Sequence, residues 1–301
     1  MTSKAQTIET WGVMQPPRPW LIDFLARLRH HPLGMFGLIG VLLFFFLALT
    51  AQWVAPYDPT AGDYGVMQSP TLSHPFGTDW SGRDILSRVI SATPSELKVG
   101  LTAVFVGVAL ATMLGLISGY LGGQVDSVLQ RLVDAWLAFP PLILLLIISS
   151  ALGPSAKSMT IALVIGVIPG TSRIIRSTVL AEKNKVYVEA AQVIGASQTR
   201  IMLRHILPQL VPTIIVMVSI AIPVIALLGA ALSFLGMGTP QAVTWGGDLS
   251  GRASQFFTHA PWMAIFPGAA ISLYVLSFNM LGDAMRDIFD PQLRGSAAMR
   301  G

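Results

Sequence analysis

Six stretches of this chain are continuously apolar, and the polar positions gather between them. A membrane helix needs about 20 mostly apolar residues. Residues 33–54, 99–120, 132–151, 159–175, 211–232 and 263–281 reach or approach that length. The pattern predicts six spanning helices and an all-α, polytopic membrane protein. The fourth stretch carries Pro169 and Gly170, which predict a kink or break in its lower half. The fifth carries Pro223, tolerable where neighbours satisfy the freed carbonyl. The first stretch could be a signal peptide. More than 30 residues precede it, and its apolar core exceeds an h-region, so it reads as an uncleaved anchor.

The segments between these stretches set the organisation. Residues 1–32 form an N-terminal segment, 33–54 the anchor, and 55–98 an outer loop with an amphipathic helix near 81–90. Residues 99–285 form a five-helix core. It includes an inner loop at 176–208 and an outer loop at 233–262, and 286–301 form the tail. With the N-terminus inside, Lys4, Arg18, Arg27, Arg29, Arg131, Arg173, Arg176, Lys183, Lys185, Arg200, Arg204, Arg286, Arg294 and Arg300 are cytoplasmic. Only Arg83, Arg88, Lys98, Lys157 and Arg252 fall outside. Lys and Arg favour cytoplasmic loops, so both termini are expected in the cytoplasm of a bacterial inner membrane.

Composition agrees. The chain has 301 residues, 53% hydrophobic and 11% charged. Soluble domains carry about 25% charged residues, so there are too few charges here to cover a water-facing surface. The absence of cysteine excludes a disulfide scaffold, thiolate metal sites and a cysteine nucleophile. The net charge of +4 is spread without basic runs, which argues against nucleic-acid binding.

The most informative polar segment is EAAQVIGASQTRIMLRHILPQL, residues 189–210. Glu189, Ala190 and Ala191 favour a helix. Gly195 suits a left-handed cap and Ala196 follows it. A second amphipathic helix sets Ile201, Leu203, Ile206 and Leu207 against Arg200 and Arg204, and Pro208 is expected to close it before the fifth span. Two short helices around a glycine make a knob that can fill a groove on a soluble partner. The alternative is an ordinary helical hairpin.

This segment resembles the EAA loop of ABC importer permeases. Glu189, Ala190, Ala191, Gly195, Leu207 and Pro208 stand at the family spacing, while His205 replaces the usual Ile. HPFGTDWSGRDILSR (74–88), GGQVDSVLQRLVDAWLAFP (122–140), LSFLGMG (232–238), Trp245-Gly246 and FNMLGDAMRDIFDP (278–291) are similar to the dipeptide, oligopeptide and nickel branch. The outer run TPQAVTWGG departs from that branch. Arg131 and Asp134, three apart, are expected to pair. Small-residue pairs Gly115/Gly119 and Gly166/Gly170 allow close helix contact, with a partner permease or within the chain.

The resemblance implies a type I ABC importer permease fold. It also implies a homologous second permease, two ATP-binding subunits, an extracytoplasmic substrate-binding protein and contact with membrane lipid. ATP and magnesium would belong to the ATPase subunits, with no cofactor or metal in this chain. Di- or oligopeptides are the implied solutes, with nickel, glutathione or another small solute as alternatives. Two rivals come from other classes. A proton-coupled transporter needs ionisable groups deep in the spans, but Asp126, Asp134 and Asp283 fall near the inner ends. Glu96 and Lys98 fall at the outer edge of the second span. An acyl-transfer enzyme has only Ser95 and Lys98 in an S-x-x-K pattern, without companion motifs. No lysine follows a glycine, so a phosphate-binding loop is absent and the chain is expected to be non-catalytic.

Overall fold

The computed structural model of the protein describes residues 28–238 and 242–289. Its long helices are α1 (Pro32–Val54), α2 (Ile85–Leu121), α3 (Gly123–Leu137), α4 (Pro141–Leu152) and α5 (Ala156–Lys183). There follow α6 (Val186–Val193), α7 (Gln198–Phe234), the short α8 (Trp245–Leu249) and α9 (Arg252–Gln255), and α10 (Trp262–Phe289). Among the described residues there is no strand, only an isolated bridge between Thr78 and Asp84. Five helices are long and apolar enough to span a bilayer, and the bent pair α3–α4 makes six. Lys4, Arg18, Arg27, Arg294 and Arg300, most of the N-terminal segment and much of the tail lie outside the described residues.

Three elements differ from the hydropathy reading. The second span starts not at Val99 but at Ile85, where Asp84 caps the helix by accepting the Ser87 N–H at 2.8 Å. The amphipathic stretch 81–90 is therefore mostly the first turns of α2 rather than a separate helix. A cap overrode a polar face that hydropathy alone scores as loop. The third stretch is broken, with α3 and α4 meeting at 91°. Pro140 and Pro141 cause this, because a residue before proline is pushed out of the helical region. The fourth stretch is unbroken in α5 despite Pro169. Ile168, Pro169, Ser172 and Ile175 are buried, so packing holds the helix through the proline.

The α2–α5 seam is the most extensive contact between described helices. A Cβ added at Gly115 would lie 2.6 Å from the Ser172 carbonyl oxygen, and one at Gly119 would lie 2.9 Å from Val179 Cβ. Gly107 faces Val167 in the same way. Gly115 and Gly119 thus serve an internal contact. Gly166 packs on Leu145, whereas Gly170 has open space around it. The anchor α1 lies on α10 through Gly34, Gly37 and Gly40, which meet Ala284, Leu281 and Ser277. Leu28 packs with Ala284 and Ile288, so the two described ends of the chain come together at one end of the bundle. At that end Asp134 pairs with Arg173 of α5 rather than with Arg131, and Arg176 Nε donates to Asp126 at 2.6 Å. Both pairs tie α3 across to α5.

The seam gives a direct test. Gly115→Ala should destabilise the purified protein by about 1–3 kcal/mol through overpacking against backbone. Gly170→Ala, in open space, should leave the thermal unfolding midpoint unchanged or raised.

Candidate functional site

The residues singled out in the inner loop meet in one knob at the end of the bundle where α2 stops. Lys183, at the end of α5, donates from Nζ to the Tyr120 carbonyl at 2.6 Å. Glu182 accepts from Lys185 Nζ at 2.6 Å and from the Tyr187 hydroxyl at 2.8 Å. Burial, with Glu182 beside it, pushes the Tyr187 phenol up to about 12, so it remains a donor. These bonds fix how the chain turns into α6. Glu189 sits in the first turn of α6, where the helix dipole favours a carboxylate.

Gly195 ends α6 at φ +78. Its N–H bonds the Gln192 carbonyl at 2.9 Å, and the Ala196 N–H bonds the Ala191 carbonyl at 3.0 Å. This pair of bonds is a Schellman motif, and the positive φ is why glycine stands there. Ser197 then caps α7, accepting the Arg200 N–H at 3.4 Å. Val188, Ala191, Ile201, Ile206 and Leu210 are buried against Leu116 and Tyr120 of α2 and Ile175 and Val179 of α5.

The second knob helix is not closed by Pro208. It continues through a π-helical turn, Met202–Ile206, into the span. A proline ring clashes with the carbonyl four residues back, and a wider turn just before it relieves that clash. The π turn also keeps Ile201 and Ile206, five apart, on one buried face. Glu189, Ala190, Arg200, Arg204 and Pro208 are exposed, and Ala196, His205 and Leu207 are half-buried. Hydropathy missed one exposed apolar surface here. Val186, Val193 and Ile194 are 78%, 86% and 83% exposed on the knob, beside the basic Arg200 and Arg204.

The opposite end is capped by the folded loop before α2 and by α8. Arg88 Nε donates to both carboxylate oxygens of Asp248, at 3.1 and 3.2 Å, and its Nη1 donates to the Pro59 carbonyl at 2.8 Å. Burial pushes the Asp248 carboxyl up while Arg88 opposes the shift. Glu96 lies about three turns into α2 and accepts the Trp245 N–H at 3.1 Å. The Trp245 indole donates to the Val89 carbonyl at 2.9 Å and packs edge-on against Phe44 and Tyr274. His74 Nδ1 lies 2.9 Å from Asp84. The Arg88–Asp248 pair joins residues 160 apart, so no local pattern announces it.

A multi-span helical bundle with a knob at one end and a polar cap at the other defines the class: a polytopic membrane protein. Comparison with known proteins gives the family. Residues 111–295 match the family of binding-protein-dependent transport system inner membrane components. Residues 19–75 match the N-terminal transmembrane domain of oligopeptide transport permease C. The chain belongs to this family and is a peptide-type ABC importer permease subunit, a multi-pass inner-membrane protein. It is 40% identical over 280 residues to the glutathione transport system permease protein GsiD of Escherichia coli O6:K15:H31, covering 92% of each chain. The same identity and coverage hold for GsiD of Shigella boydii serotype 4. A chain of the inward-facing MetNI methionine ABC transporter shares the fold, with a TM-score of 0.56 at 15% identity. That match covers 67% of this chain and 96% of the other. Permeases of this type work with ATPase and binding-protein partners.

Two outcomes check the geometry. Tyr187→Phe should speed amide hydrogen exchange across residues 186–196 several-fold while the α2–α5 seam stays protected, because the lost bond anchors only the knob. Arg88→Ala should cost about 3–5 kcal/mol by stranding a buried carboxylate. The double variant Arg88→Ala/Asp248→Ala should unfold at a higher temperature than Arg88→Ala alone.

Proposed function

We propose that the knob is the coupling element of the importer, docking in a groove of an ATP-binding subunit. The observation that carries this is the apolar patch of Val186, Val193 and Ile194 beside Arg200 and Arg204. Large apolar side chains standing this far into water mark an interaction surface. Their basic flank suits an apolar cleft with an acidic rim. The knob then faces the cytoplasm, with both termini on the same side, as the bias of Lys and Arg favours. The transporter pairs this chain with a homologous permease, two ATP-binding subunits and an extracytoplasmic binding protein. ATP and magnesium bind in the ATPase subunits, and this chain supplies wall and transmission.

The solute is a di- or oligopeptide. Support comes from the match to oligopeptide transport permease C over residues 19–75. Glutathione is the second reading, favoured by the 40% identity to the glutathione permease. When ATP closes the ATPase dimer, the knob moves with it. The clamp of Glu182 on Tyr187 and the seating of α6 on α2 and α5 pass that movement into the spans.

Gly195 isolates the test. A Cβ there meets nothing within 4 Å in this chain, so within the chain a substitution acts through the backbone. A non-glycine residue at this φ costs roughly 1–2 kcal/mol, more with a branched side chain. Gly195→Val should leave the subunits assembled while uptake per ATP hydrolysed falls at least several-fold. Normal uptake at the parental ratio would count against the knob as the coupling element.

A further inference from the structure

At the end opposite the knob, the cap lines an open-sided cavity of about 500 Å³ that coupling does not use. Its lining includes Asp79, Trp80, Arg83, Arg88, Thr244 and Asp248. The volume falls in the range of small-molecule sites, roughly 300–1,000 Å³. What such a cavity binds depends on which lining groups still have hydrogen-bonding capacity.

The carboxylates have spent theirs on the protein. Asp79 Oδ1 accepts the Ser81 N–H at 2.8 Å and the Arg83 N–H at 3.0 Å, and its Oδ2 accepts Arg83 Nε at 2.7 Å. Asp248 is held by Arg88, whose remaining terminal nitrogen goes to Pro59. Arg83 is different. Its side chain gives only Nε to Asp79, and its guanidinium stands 5.2 Å over the Trp80 ring. Its two terminal nitrogens have no hydrogen-bond partner among the described residues. A free guanidinium edge offers two parallel N–H bonds, the geometry a carboxylate accepts and a point charge does not supply.

We propose that this cavity is a transit site on the permease itself, where Arg83 holds the free carboxylate of a passing solute. It rests on the peptide reading above, since a peptide's C-terminus supplies that carboxylate. Trp80 and Met263 supply apolar wall for an adjoining side chain. The site is weak by construction. Among the described lining residues Arg83 and Arg88 are balanced by Asp79 and Asp248, so these four groups add no net positive charge, and the fork discriminates. A station on a route has to release what it binds.

The test is a binding measurement on the assembled transporter in lipid nanodiscs, with no binding protein and no ATP. Saturation-transfer NMR compares dialanine with its C-terminal amide. The parent should bind dialanine at least roughly tenfold more tightly than the amide, the scale of one charge-assisted bidentate contact. Arg83→Gln should erase that preference by weakening dialanine alone. Arg83→Lys keeps a charge beside Asp79 and should give an intermediate preference, which decides the matter if the Gln variant fails to assemble. Equal binding of acid and amide by the parent overturns the site. So does an equal loss of both ligands in the variants. ATP-driven uptake of dialanine by the complete system is measured separately. Its absence alongside Arg83-dependent binding would overturn the peptide-import reading and leave the site standing.

Discussion

The glycine seam between α2 and α5 is the constraint on which the knob and the cap depend. Between membrane helices there is little hydrophobic drive, since lipid tails are as apolar as leucine, and association rests on close packing. Gly107, Gly115 and Gly119 bring one backbone against side chains and carbonyls of the other. The seam leads at one end to Leu116 and Tyr120, the floor on which the knob sits. From the other end of α2 come Asp84, Arg88 and Glu96, which organise the cap. Knob and cap are therefore built on opposite ends of one helix.

Charge is arranged to match. Among the described residues the ion pairs lie toward the knob end of the bundle and in the cap. Arg173 and Arg176 of α5 hold Asp134 and Asp126 of α3, stitching the bent pair α3–α4 to the core near the knob. In the cap a buried arginine is balanced by a buried aspartate and a backbone carbonyl. Partnered in this way, a buried charge is tolerable, and unpaired it would be costly. The same accounting separates Arg88, fully occupied, from Arg83, which is not.

Much of the fold was legible because hydropathy reports burial in lipid directly. All six apolar stretches correspond to helical segments, and the spacing from Glu189 to Pro208 located the knob. What escaped was set by single bonds or by distant partners. The start of α2 depends on one Asp84 cap. The break before α4 depends on two adjacent prolines within an otherwise apolar run. The continuity of α5 depends on packing around Pro169, and that of α7 on a π turn before Pro208. The exposed Val193 and Ile194 read as ordinary apolar residues until the Schellman turn at Gly195 aimed them outward. Arg88 and Asp248 meet only because α2 and α8 pack together.

One dimension of α2 sets a mechanical limit. At 37 residues it is a rod of about 55 Å whose helical run continues through Pro94, where one backbone hydrogen bond is lost. A helix that moves as one body has no private ends. Tilting it by about 5° at the knob would sweep its far tip through roughly 5 Å, by the same helical rise. A displacement of that size exceeds the length of any hydrogen bond in the cap. Angular work delivered on one face of the membrane would reach the other as a rearranged set of polar contacts, with no relay of side chains needed in between.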